Sequence, residues 1–66
     1  MRLVVNGEDR TVENADTVAA LVLALGLDMK KVAVERNLEI VPRSLYGQTR
    51  LGDGDRIEIV QFVGGG

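Results

Sequence analysis

The chain has 66 residues, 8 basic against 10 acidic side chains for a net charge of −2, and neither cysteine nor histidine. That composition makes one small domain and excludes disulfides, thiolate or imidazole metal sites and the usual nucleophile–base pairs of acyl-transfer enzymes. The acidic balance and the two aromatic residues, Tyr46 and Phe62, argue against a nucleic-acid partner, which needs a basic surface and stacking platforms. No apolar run approaches the roughly 18 residues that span a bilayer, and Met1-Arg2-Leu3-Val4-Val5-Asn6 turns polar too soon for a signal peptide. The expectation is a soluble, cytoplasmic protein, with no membrane partner.

Arg2-Leu3-Val4-Val5-Asn6 is rich in β-branched residues and reads as a strand. Asn6-Gly7 is a hairpin signal, because both residues tolerate positive φ. Arg10-Thr11-Val12-Glu13 reads as the returning strand, with Gly7-Glu8-Asp9 leaving the register open. Asp16 and Thr17 are both suited to cap a helix, Thr17 the better. Val18, Leu21, Val22 and Leu25 follow at i, i+3, i+4 and i+7, one apolar stripe for the core. Gly26 fits the left-handed position after a helix, with Leu27 packing back on Val22. The expected helix is about ten residues long.

Lys30-Lys31 reads as a solvated loop and Val32-Ala33-Val34-Glu35 as the third strand. Arg36-Asn37-Leu38-Glu39 is a turn and Ile40-Val41 a short strand. Pro42 stops it, since proline donates no ladder hydrogen bond. One helical turn is expected around Ser44-Leu45-Tyr46, and Asp53-Gly54-Asp55 is a further turn. Arg56 to Val63 is the last strand, with Ile57 and Ile59 alternating against Arg56 and Glu58. The order β-β-α-β-β-β gives an α+β layer, a sheet with one helix on one face.

The strand runs directly into Gly64-Gly65-Gly66. Glycine averages about 7% of residues, so three at the last three positions would arise by chance in roughly 0.03% of chains. Glycine loses the most freedom on ordering, so such a segment gains little for a fold. It offers a thin thread ending in a carboxylate. Val63 and the glycines would reach on the order of 10–14 Å at ~3.3–3.6 Å per residue. The expected division is a domain over 1–63 and a flexible tail over 64–66.

Several segments in this order resemble one family. They are Leu3-Val4-Val5-Asn6-Gly7, Thr17-Val18-Ala19-Ala20-Leu21, Val32-Ala33-Val34-Glu35, Ile40-Val41-Pro42-Arg43-Ser44, Asp53-Gly54-Asp55-Arg56-Ile57-Glu58-Ile59 and Gly65-Gly66. Together they resemble the ThiS-type sulfur carriers of thiamine biosynthesis, over essentially the whole chain. Leu38 stands where many members carry glycine, leaving the form of that turn open, and Tyr46 stands where tryptophan is frequent.

The resemblance implies a ubiquitin-like β-grasp fold, a mixed sheet of about five strands with one main helix packed on one face. It implies a carrier rather than an enzyme. A ubiquitin-activating-type partner would use ATP and Mg²⁺ to adenylate the Gly66 carboxylate. Sulfur from a cysteine desulfurase or another donor would convert it to a thiocarboxylate, and thiazole synthase would accept the sulfur. Gly64 and Gly65 would supply reach. The chain itself would bind no cofactor and no metal.

Within that reading, Phe62 and Val60 share the face of the last strand opposite Ile57 and Ile59 and are candidates for partner docking. The alternative is that Phe62 packs beneath the loop near Tyr46. Arg43 is a third docking candidate, against an ordinary surface arginine. Asp53, Asp55 and Glu58 read as a solvated hairpin turn rather than a metal or acid–base site. The competing functions are a molybdopterin synthase small-subunit-like carrier, a protein modifier joined to lysines through Gly66, and a β-grasp binding module.

Overall fold

A computed structural model describes residues 1–62, so Val63 and the tail at Gly64, Gly65 and Gly66 lie outside the described residues. The strands are β1 (Arg2–Val5), β2 (Glu8–Thr11), β3 (Val32–Arg36), β4 (Glu39–Val41) and β5 (Arg56–Gln61), with one α-helix, α1 (Val18–Ala24). The strands form one sheet in the order β2-β1-β5-β3-β4. Strand β5 runs parallel to β1 and antiparallel to β3, so the last strand in sequence is the central one in space.

The first hairpin closes through two residues, Asn6 at φ 51 and Gly7 at φ 81. This is the turn that matches strand twist best. It sets Val5 opposite Glu8, so β2 starts two residues before the expected Arg10 and ends at Thr11 rather than Glu13. The second hairpin repeats the design with Asn37 at φ 52 and Leu38 at φ 71. Leucine disfavours that region, at roughly 1–2 kcal/mol, yet the two-residue turn survives because Arg36–Glu39 pairing and the Asn37 N–H to Arg56 C=O bond (2.8 Å) fix both its ends.

Helix α1 spans seven residues, shorter than the expected ten. Thr17 caps it as expected, its Oγ1 accepting from the Ala20 N–H at 3.1 Å, a contact of the kind worth about 1 kcal/mol. The other end stops at Leu25 because Gly26 turns left-handed at φ 75. The Gly26 N–H then donates to Leu23 C=O (3.0 Å) and the Leu27 N–H to Val22 C=O (3.1 Å), the paired closure that satisfies the last carbonyls. Val18, Leu21 and Val22 are buried, while Leu25, in the cap, packs only half-buried at the core's edge.

The core lies between α1 and one face of the sheet. Leu3 and Val5 of β1, Val32 and Val34 of β3, Val41 of β4, and Ile57 and Ile59 of β5 meet the helix there. Each fully buried side chain of this kind contributes on the order of 1.5–3 kcal/mol. Tyr46 closes one side. It follows a 3₁₀ turn at Arg43–Leu45 and donates its hydroxyl to the Val32 carbonyl at 3.3 Å, which satisfies its only polar atom. Lys30 and Lys31 are exposed as expected, in a 3₁₀ turn rather than an open loop, with the Asp28 carboxylate accepting from the Lys30 N–H.

Candidate functional site: the strand that leads to the tail

The expected reactive group, the Gly66 carboxylate, and the reach residues Gly64 and Gly65 fall outside the described residues; the described part of the site is its root. That root is β5. Its alternation puts Ile57 and Ile59 into the core and leaves Val60 60% and Phe62 52% exposed. The two side chains expected to dock a partner are therefore on the open face. The alternative, in which the loop near Tyr46 covers Phe62, would leave that ring buried, whereas it is half-exposed and Tyr46 is itself a core residue.

Cross-strand register extends this face. Ala33 of β3 sits opposite Val60, and Ile40 on β4, 76% exposed, belongs to the same outer side. Ile40 was missed in the sequence, although its alternation with buried Val41 is the same period-2 signal that marked Val60. Glu35 and Glu58 stand directly opposite each other on this face, an arrangement that is mildly destabilising for like charges. Arg43 lies exposed in the turn after β4, and its guanidinium makes no ion pair among the described residues.

Both hairpin asparagines reach β5. The Asn37 carboxamide accepts from the Arg56 N–H at 2.9 Å and donates to Asp55 at 3.1 Å. The Asn6 carboxamide accepts from the Ile59 N–H at 2.7 Å and donates to the Ile59 carbonyl at 3.2 Å. No motif rule singled these side chains out for more than their turns.

Asp53 and Glu58 are exposed beside a turn at Asp53-Gly54, as expected, but Asp55 departs from the solvated-turn reading. Asp53 accepts from the Arg2 N–H, and Glu58 faces outward from β5. Asp55 is instead a partly buried hub, accepting from the Gly52 N–H (2.7 Å), Asn37 Nδ2 (3.1 Å) and Arg36 Nε (2.9 Å). Burial alone would raise its pKa. The Gly52, Asn37 and Arg36 bonds and the Arg36 charge together outweigh burial and hold the carboxyl below its ordinary value. The reason Asp55 departs is topological: β3 brings Arg36 beside the turn that enters β5. Among the described residues no group of three or more acidic side chains is arranged to hold a metal ion.

If the outer face docks a partner, Phe62→Asp should change folding stability by less than about 0.5 kcal/mol, since the ring is half-exposed. It should weaken association with the partner by about 1–2 kcal/mol. Thermal unfolding and titration calorimetry on the same variant would separate the two, and an unchanged affinity would remove Phe62 from the interface.

The family model of the ThiS family matches residues 3–66. A thiazole synthase of Paramagnetospirillum magneticum is 59% identical over 66 residues, all of this chain but 20% of that protein, so the chain spans about a fifth of that relative's length. The sulfur carrier protein ThiS of Bacillus subtilis is 43% identical over 97% of this chain and 98% of its own. The crystal structure of the thiamine biosynthesis protein ThiS from Geobacter metallireducens superposes with a TM-score of 0.83 at 39% identity, covering the whole of both chains. The five-stranded mixed sheet with one helix described above is the β-grasp fold expected from the resemblance. On the matched length, the identity to a full-length relative and the shared fold, this chain belongs to the ThiS family.

Proposed function

We propose that this chain is a sulfur carrier of thiamine biosynthesis that acts as a co-substrate of its partners rather than as an enzyme. The observation that carries the reading is β5. It is the central strand, paired on both sides, and its sequence continues straight into Gly64-Gly65-Gly66. A carboxylate is a poor electrophile, and this chain has no cysteine or histidine with which to activate one. The activation therefore falls to a ubiquitin-activating-type partner, which would use ATP and Mg²⁺ to adenylate Gly66.

A sulfur donor, a cysteine desulfurase among the candidates, would then turn the acyl adenylate into a thiocarboxylate. Thiazole synthase would receive the sulfur, and a relative named thiazole synthase that contains a segment like this whole chain supports that choice. Identity to the Bacillus carrier favours the thiamine branch over the molybdopterin branch. The outer face around Ala33, Ile40, Val60 and Phe62, with Glu35 and Glu58 beside it, fits a partner surface that is apolar at its centre and carries a cation near the two carboxylates.

Intact-mass measurement tests the reading. The chain, incubated with ATP, Mg²⁺, the activating partner and a sulfur donor, should gain the mass of one oxygen exchanged for one sulfur, localised to Gly66 by fragmentation. A chain recovered unchanged would refute the carrier role, and covalent adducts with other proteins would move the assignment to a protein modifier.

A further inference from the structure

Asn6 has a second duty beyond its turn. In a parallel ladder, one residue donates its N–H to a neighbour and accepts at its own C=O from the residue two further on. Along β1 the series runs regularly: the Val4 N–H donates to Asp55 C=O at 2.9 Å and the Asn6 N–H to Ile57 C=O at 2.8 Å. The next bond should join the Asn6 carbonyl to the Ile59 N–H. It cannot form, because Asn6 at φ 51 has already turned into the hairpin. Its side chain takes over. Oδ1 accepts from the Ile59 N–H at 2.7 Å, and Nδ2 donates to the Ile59 carbonyl at 3.2 Å. The two bonds also fix which way the amide points, since one needs the acceptor and the other the donor.

The carboxamide thus stands in for a peptide group and lengthens β1's hold on β5. Without it, β5 beyond Ile57 would be hydrogen-bonded only from the β3 side, where pairing continues through Ala33–Val60 and Val32–Gln61 to the Phe62 N–H on Lys31 C=O. We propose that Asn6 is a positioning residue for the carrier reaction: by bonding both polar groups of Ile59, it fixes the direction in which β5 delivers the reactive terminus to the activating enzyme. The inference rests on the carrier reading above. Its cost, when lost, is an ordering penalty met on binding. Ordering the backbone of one residue corresponds to roughly a 5- to 30-fold penalty in an equilibrium.

The test is ATP–pyrophosphate exchange by the activating enzyme with Mg²⁺, using this chain as the varied substrate. Asn6→Gly keeps the positive φ the turn requires and removes the carboxamide together with its methylene. It should raise KM by about 5- to 30-fold with kcat unchanged. Amide exchange should quicken at Ile59 and stay unchanged at Val12 and Leu25, which lie outside the clamp. Val22→Ala, in the helix–sheet core, lowers Tm but leaves the clamp in place, and its KM should match that of the unaltered chain.

Asn6→Asp provides a second route should the glycine variant not fold, because aspartate tolerates the turn yet sets a carboxylate oxygen against the Ile59 carbonyl. It too should raise KM. An unaltered KM in the Asn6 variants, or an equal rise in Val22→Ala, would overturn the positioning role while leaving the carrier reading intact. Failure of the unaltered chain to support any exchange would overturn both.

Discussion

Removing Gly65 and Gly66 is expected to abolish adenylate formation while leaving Tm where it was. The buried residues of the described core run from Leu3 to Ile59, and the deleted pair comes after all of them. The deletion withdraws the carboxylate by about 7 Å, at ~3.3–3.6 Å per residue. A misplacement of ~1 Å already costs roughly 100-fold when reacting groups must be held in register. The exchange rate should therefore fall by at least about 100-fold. The same variant should still bind the activating enzyme through its outer face, at reduced affinity. Adenylation that persists in the truncated chain would mean that Gly66 is not the reacting residue.

The second large effect concerns Asp55. Asp55→Ala strips the acceptor from three donors, Gly52 N–H, Asn37 Nδ2 and Arg36 Nε, and leaves the half-buried Arg36 guanidinium without its partner. Hydrogen bonds to a charged group contribute about 1.5–3 kcal/mol, and an orphaned donor adds its own desolvation penalty. A loss of about 2–4 kcal/mol is expected. At ~0.05–0.15 kcal/mol per residue, a chain this short has only about 3–10 kcal/mol in total, so the variant should be partly unfolded at modest temperature.

The pH dependence carries the same signature. The folded-state pKa lies below the unfolded value, so Asp55's contribution is fully present above the unfolded carboxyl pKa of about 3.9. It is lost as pH falls below that value toward and through the folded pKa. Urea unfolding of the unaltered chain should lose stability below about pH 4, and Asp55→Asn should show a flatter profile there. An equally steep acid transition in the variant would assign the effect to other carboxylates.

The sequence was legible where one residue type has one physical use. Asn6-Gly7 demands a left-handed turn, Thr17 a cap and Gly26 a helix stop, and each is in place. The alternation in β5 correctly sorted Val60 and Phe62 from Ile57 and Ile59. It was less legible where neighbours decide. Glu8–Thr11 is a strand of wholly exposed residues with no apolar alternation, and only its pairing with β1 makes it one. Leu38 accepts a backbone conformation that its own preferences oppose.

Asp55 looked like a surface turn residue because nothing local announces that Arg36 and Asn37 will be brought to it across the sheet. Asn6 looked like a turn residue for the same reason. The role proposed for Gly66 comes from the run of glycines, from what the composition lacks and from the family resemblance, and Gly66 itself lies outside the described residues.

The place of β5 in the sheet bears on how the protein is made. The β1–β2 and β3–β4 hairpins share no ladder except through β5, which pairs Val4 with Arg56 on one side and Val34 with Ile59 on the other. Until Arg56–Gln61 has been synthesised, the nascent chain holds two unconnected hairpins, and isolated hairpins are marginal at best in water. Folding must then wait on contacts between residues far apart in sequence, which slows it relative to a helical domain of equal size. The ribosome therefore releases no folded body ahead of the strand that leads to the glycines. A chain cut short before β5 would lack the strand that joins the two hairpins into one surface.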